Sequence, residues 1–176
     1  MDSSMKKLIQ ISKYAGSRYV HIPISEQWTS IYDCAPPVGV GDLSFGEYWK
    51  AESAYVQDLI EISMKFEVPN YIISGLEISK SSKKLLPSWI KEGGVVTVDN
   101  MEFLIRYCMR GALWCRLHYS DLIFIMFGYD LYVRVGIQSC EDIYLTPSSE
   151  FIGHVDMSAD LGDDDYYYFG EWKPRS

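Results

Sequence analysis

Residues Asn100–Ile137, NMEFLIRYCMRGALWCRLHYSDLIFIMFGYDLYVRVGI, decide the fold class of this chain. The stretch opens with a helical period: Met101, Leu104, Ile105, Cys108 and Met109 share one stripe, the spacing that a turn of 3.6 residues brings to one face. The spacing predicts a helix over Asn100 to Arg110, capped by Asp99 or Asn100 and stopped by Gly111. Short polar side chains satisfy the free N–H groups of a first turn, and glycine accepts the left-handed turn that ends a helix. Glu102, Arg106 and Arg110 recur at four-residue steps, within ion-pairing reach of one another.

From Ala112 the period changes to two. Leu113, Cys115, Leu117 and Tyr119 point one way, and Ala112, Trp114, Arg116 and His118 the other, as a half-buried strand requires. Ser120-Asp121 makes a turn. Leu122 to Phe127 is apolar on both faces, which suits a central strand, and Gly128, Tyr129 and Asp130 supply the next turn. Leu131, Val133, Val135 and Ile137 then oppose Tyr132, Arg134 and Gly136. The simplest arrangement is an antiparallel meander with one face on the helix and the other carrying Trp114, Arg116, His118, Tyr132 and Arg134.

Working outward, Val95 to Val98 leads into this unit as a strand, behind a Gly93-Gly94 turn, and Tyr71 to Ile78 (YIISGLEI) reads as another. Between them, Leu85 to Lys91 suggests a short helical turn, and residues 79–84 (SKSSKK) a flexible, basic loop. A second long helix begins at Ser44, where Ser44 and Glu47 match the S-x-x-E capping box. It runs to Phe66, short of Pro69, with Tyr48, Ala51, Tyr55, Leu59, Ile62 and Phe66 inward and Glu47, Lys50, Ser53, Gln57, Asp58, Glu61 and Lys65 toward water. Asp33 to Asp42, with two prolines and two glycines, is a loop; its Gly39-Val40-Gly41 lacks a phosphate-loop pattern. Nearer the N-terminus, Lys6 to Tyr14 fits either a weak helix or a strand start, Arg18 to Ile24 a short edge strand, and Ser25 to Trp28 a helical turn, while residues 1–5 look frayed. After Ile137 the pattern weakens: Ile143 to Leu145 and Phe151 to Val155 suggest short strands, and 158–165 a flexible loop. No repeat or linker divides the 176 residues. The expected fold is one α+β domain over 1–176, an antiparallel meander packed against two amphipathic helices.

Hydrophobic residues make up 48% of the chain, enough for a substantial core, and the longest apolar runs fall far short of the ~20 residues that span a bilayer. A cytoplasmic location is expected, since Leu8 to Ile11 is too short and polar for a signal core. Cys34, Cys108, Cys115 and Cys140 allow two disulfides by count, but Cys108 and Cys115 sit on core faces, so reduced thiols are expected. The net charge of −8 is uneven: 1–140 holds fourteen Lys and Arg against fifteen Asp and Glu, whereas 141–176 holds two against nine. That distribution argues against nucleic acid or an anionic membrane as partner and favours a basic protein, a cation or simple solubility.

No catalytic or metal motif stands out. Cys115 and His118 lie three apart on a strand and diverge, so they do not read as a nucleophile and its base. Cys108, Cys115 and His118 match no zinc spacing. His21 and His154 are isolated in the sequence. Asp156, Asp160, Asp163, Asp164 and Asp165 lack the register of a calcium loop. No metal, cofactor or catalytic residue is expected. The most unusual stretch is Asp163-Asp164-Asp165-Tyr166-Tyr167-Tyr168. It reads either as an acidic turn before a strand whose tyrosines pack on the core, or as an interface with carboxylates that steer a basic partner and stiff phenol rings that anchor it. Such carboxylates suit an inhibitor of a basic nuclease, because they mimic a phosphate backbone.

Arg106 and Arg110 in the helix, Trp114-Cys115-Arg116 in the strand and Phe127-Gly128-Tyr129-Asp130 at the hairpin give Met101 to Gly136 a resemblance to the small immunity proteins of bacterial contact-dependent and polymorphic toxin systems. The resemblance implies an acidic, cytoplasmic, non-enzymatic α+β protein that neutralises a toxin. The expected contact surface, proposed from charge and chemistry alone, is Asp160, Asp163, Asp164, Asp165, Tyr166, Tyr167 and Tyr168. The competing expectation is a small-molecule or enzymatic pocket formed over Trp114, Arg116, His118, Tyr132 and Arg134.

Overall fold

A computed structural model describes residues 7–18, 21–22, 27–83, 85–128, 131–138 and 145–158. Among them two α-helices pack on one seven-stranded antiparallel sheet, so the chain is an α+β protein. The strands are β1 (Lys7–Ser12), β2 (Asn70–Ile78), β3 (Val95–Thr97), β4 (Leu113–Tyr119), β5 (Ile123–Phe127), β6 (Tyr132–Ile137) and β7 (Gly153–Asp156). Their spatial order is β3-β2-β4-β5-β6-β1-β7. The helices are α1 (Phe45–Lys65) and α2 (Val98–Met109).

The meander read from the sequence is β4-β5-β6, with the outer strands showing the expected faces; its register sets Leu117 opposite Ile125 and Ile125 opposite Val135. On its helix side Leu113, Cys115, Leu117, Ile123, Ile125, Phe127, Val133, Val135 and Ile137 are each 3% exposed or less. Each aliphatic side chain so buried contributes about 1.5–3 kcal/mol, which fixes the register, because a one-residue slip would turn every one of them to solvent. Tyr48, Tyr55 and Leu59 of α1 and Met101, Leu104 and Ile105 of α2 complete the same core. The tyrosine hydroxyls there are satisfied: Tyr48 donates to the Met109 carbonyl at 3.2 Å, and Tyr55 donates to the Leu131 carbonyl while accepting from the Lys13 N–H.

Several local expectations change. Helix α2 starts at Val98, straight out of β3, with Thr97 as a cap that makes no side-chain bond; Asp99 and Asn100 lie inside the helix rather than before it. Gly111 ends it as expected, at φ +66°, a conformation that costs glycine little. Ser44 does cap α1, but without the side-chain bond of a capping box, because Glu47 turns to Arg18 at 2.9 Å instead. A capping box forms elsewhere, where Ser30 and Asp33 close the short 3-10 turn Ile31–Asp33. Lys7–Ser12 is a strand followed by a 3-10 turn, not a helix, and His21 and Ile22 lie in a turn and bend rather than in a strand. Ser79 to Ser82 is a hydrogen-bonded turn. No helix of the described residues is long and apolar enough to cross a membrane.

Two acidic residues of α1 are buried. Asp58, expected in water, is 2% exposed, and Glu52 is 1% exposed. Glu52 joins the helices: Arg106 Nη1 lies 2.6 Å from its Oε2, and Arg110 Nε lies 2.7 Å from its Oε1. Arg106 also meets Glu102 at 2.9 Å along α2, the four-step pair read from the sequence, and both guanidinium groups stand over the ring of Trp49.

Candidate functional site

The sheet face opposite the helices is built by the alternate residues of the meander. Trp114, Arg116 and His118 of β4, Phe124 and Met126 of β5, and Tyr132 and Arg134 of β6 are all half-buried there. The register sets them in rows. Arg116 faces Met126, which faces Arg134, and the row continues to Ser74 on β2 and Gln10 on β1. His118 faces Phe124, which faces Gly136. The five residues Trp114, Arg116, His118, Tyr132 and Arg134 therefore do share one face.

Two strands repeat one unit on this face. In Trp114-Cys115-Arg116 and Tyr132-Val133-Arg134 an aromatic residue precedes an arginine by two positions, and each guanidinium carbon lies over its own aromatic ring, at 5.5 Å and 5.6 Å. The Trp114 indole N–H donates to the Phe127 carbonyl, which fixes its ring at the end of β5. The Tyr132 ring lies across Gly128, where any Cβ would collide with it. Each ring is thereby held in place, with a guanidinium group over it.

The arginines here differ from the rest. Arg18, Arg106 and Arg110 each lie within 4.0 Å of a carboxylate. Among the described residues neither Arg116 nor Arg134 has an ion pair. The Nε atoms of both, and the Ser74 hydroxyl in the same row, are out of contact with water and make no hydrogen bond. A buried donor without an acceptor costs about 1–3 kcal/mol, so this row is held against a local penalty. Burial lowers the pKa of His118 below the ordinary imidazole value, against an opposing pull from Asp121, so the ring is neutral at pH 7.

Neither of two cavities is formed over this face. A cavity of about 320 Å³ opens at its end, floored by Met109, Leu113 and Leu131 and flanked by Trp114, Tyr32 and Arg110. Of the five face residues only Trp114 reaches it. A second cavity, of about 240 Å³, lies beside Asp58, Glu61 and His154, away from the five. The expected pocket around Arg116, His118 and Arg134 together is not one of these.

His154, isolated in the sequence, meets Asp58 through Nε2 at 2.5 Å and the Leu145 carbonyl through Nδ1 at 3.1 Å. The pair ties β7 to α1, helped by the Ser148 N–H on the other Asp58 oxygen, and it lines the second cavity. Cys115 is fully buried and faces away from His118, as the strand alternation requires. Its neighbour is Cys108, at 3.8 Å between sulfurs. Cys34, Cys108 and Cys115 are free thiols, and burial raises the pKa of Cys108 well above the ordinary thiol range, which keeps it protonated and a poor nucleophile. Lys13 is fully buried, with Nζ 3.7 Å from the centre of the Tyr14 ring and 3.8 Å from that of Trp28. Burial lowers its pKa to about 7, against the pull of Asp33.

Among the described residues no group of three His, Cys, Asp or Glu side chains is placed to hold a metal. Asp160, Asp163, Asp164, Asp165, Tyr166, Tyr167 and Tyr168 lie outside the described residues, as do Tyr129, Asp130 and Cys140. Sequence reasoning missed the buried carboxylates Glu52 and Asp58. A signal for Glu52 existed: its partners Arg106 and Arg110 lie four apart on α2, and the four-step rule assigned only Glu102 to them. Comparison with protein families, with curated proteins and with solved structures gives no match.

Proposed function

We propose that this chain is a non-catalytic inhibitor of the immunity type, binding and neutralising a basic toxin domain. The observation that supports the reading most is the sheet face on which Trp114 and Tyr132 are joined by Arg116 and Arg134, each guanidinium over its neighbouring ring. Trp, Tyr and Arg are the side chains that dominate the centres of protein interfaces, and here the two arginines lack the carboxylates that hold the other described ones. The charge distribution supplies the second part. Nine acidic against two basic residues in 141–176 would draw a basic partner in by long-range attraction. In this reading the acidic, tyrosine-rich run from Asp160 to Tyr168 steers and contacts the partner, and the sheet face anchors it.

The experiment is capture of the partner from the native host with identification by mass spectrometry, followed by binding kinetics at several salt concentrations. Replacing Asp163, Asp164 and Asp165 with Asn should slow association and flatten its salt dependence. Trp114→Ala or Tyr132→Ala should speed dissociation, at a cost of about 2 kcal/mol or more if the ring is an anchor. A captured protein whose rates ignore both sets of variants, or one that is itself acidic, rules the reading out.

A further inference from the structure

We propose that the Trp114–Arg116–Tyr132–Arg134 face takes one kind of partner segment: an extended stretch of protein bearing carboxylates, with a neighbouring apolar side chain seated in the cavity beside Trp114. The proposal rests on the protein-binding reading and adds the chemistry of what is bound.

Charge complementarity chooses the carboxylate. Arg116 and Arg134 stand on strands two apart, in one register row with Met126 between them, so their backbones are roughly 10 Å apart at ordinary strand spacing. Stacking on Trp114 and Tyr132 holds each planar group in a fixed attitude, which lowers the entropy lost when a carboxylate binds it. Each side chain is only half-buried, and its terminal Nη atoms are the donors that a carboxylate would meet in charge-assisted bonds. A long polyanion fits less well, because a nucleic acid would meet the whole chain's charge of −8, whereas a short acidic segment meets the two arginines locally.

The cavity supplies direction. It opens past Trp114, at the end of the face away from His118, with an apolar floor of Met109, Leu113 and Leu131. Glu77 stands on its rim and would repel a carboxylate there. The apolar side chain therefore belongs at the Trp114 end and the carboxylates at the Arg116–Arg134 row. A partner that is basic overall but carries such a segment would meet both the acidic 141–176 region and this face, which fixes its orientation.

The test uses the full chain, isotope-labelled, with three probes: a short synthetic peptide of alternating Glu and Ser ending in Phe, the same peptide with Lys for Glu, and oligouridylate. The acidic peptide should shift the amide signals of Trp114, Arg116, Met126 and Arg134, and added salt should weaken it. Arg116→Gln with Arg134→Gln should lower its affinity roughly tenfold or more, the loss expected when charge-assisted bonds are removed. The Arg→Lys pair should recover part of that, and replacing the terminal Phe with Ser should weaken binding without moving the signals of the arginine row. Equal or tighter binding of the lysine peptide or of oligouridylate, or an acidic peptide indifferent to both arginines, overturns the proposal. The outcome is separable from the inhibitor reading. A toxin captured through Trp114 but insensitive to both arginines overturns only the carboxylate assignment. Peptide binding with no toxin partner overturns only the inhibitor.

Discussion

The helix–helix clamp at Glu52 and the open row at Arg116 and Arg134 use the same parts to opposite ends. Each sets two guanidinium groups over aromatic rings. In the clamp both converge on a carboxylate whose side chain is 0% exposed, so every charge is answered within the fold. On the sheet face no carboxylate of the described residues pairs with either arginine, and the Nε atoms are buried without acceptors among them. Arginine is fully paired between the helices and left without an ion pair among the described residues in this row. The difference separates charge that holds the fold from charge held ready for something else.

The largest effect should come from breaking the clamp. Glu52→Ala leaves two guanidinium groups facing each other with no buried anion, and removing one partner of a buried pair costs about 3–5 kcal/mol. Urea unfolding measures it; a loss below 1 kcal/mol would mean that the clamp is solvated and that the contrast with the sheet face is false.

Lys13 is an intermediate case, a cation enclosed by two rings. Its folded pKa, about 7 against an ordinary 10.5, fixes the sign. Between these values the unfolded chain holds the proton and the folded chain does not, so stability rises with pH across that window, at up to about 1.4 kcal/mol per pH unit. Below pH 7 the proton is bound in both states and this contribution is flat. In Lys13→Met the rise should disappear; an unchanged slope would place the titration on another group.

The smallest effect should be on the face itself. Arg116→Gln and Arg134→Gln should each cost no more than about 0.5 kcal/mol of folding stability and can raise it, since neither loses an ion pair to a described residue and each removes a buried Nε that has no acceptor. Thermal melts beside the Glu52 variant test this directly. A loss of 2 kcal/mol or more would make the row part of the fold's own stability and remove the contrast.

How legible all this was depends on the kind of pattern involved. The outer strands of the meander could be read residue by residue, because Leu113 to Tyr119 and Leu131 to Ile137 alternate and a two-residue period assigns their faces. Leu122 to Phe127 is apolar on both sides, so its place as the central strand could be assigned but its faces could not. The burial of Glu52 and Asp58 could not, because helical periodicity places a charged residue by angle and says nothing of a partner far along the chain: Arg110 lies 58 residues from Glu52, and His154 lies 96 from Asp58. The Ser44 cap shows the reverse failure. The position was right, but Glu47 was drawn away by Arg18, a competitor that no local motif reports. Alternation put each aromatic residue on one face with the arginine two positions on; that each guanidinium lies over its ring, with Gly128 making room for Tyr132, required the three-dimensional structure.

The place of β1 has a consequence for how the molecule is made. This strand sits between β6 and β7, pairing Ile9 with Val135, 126 positions further on, and with Asp156 on its other side. During synthesis Ile9 and Ile11 must wait for both of these partner strands. Contacts spanning such distances close slowly, and an exposed apolar strand is a ready site for mispairing between nascent chains. The β2–β4–β5 portion can assemble from nearer neighbours, so β1 is expected to join the sheet after it.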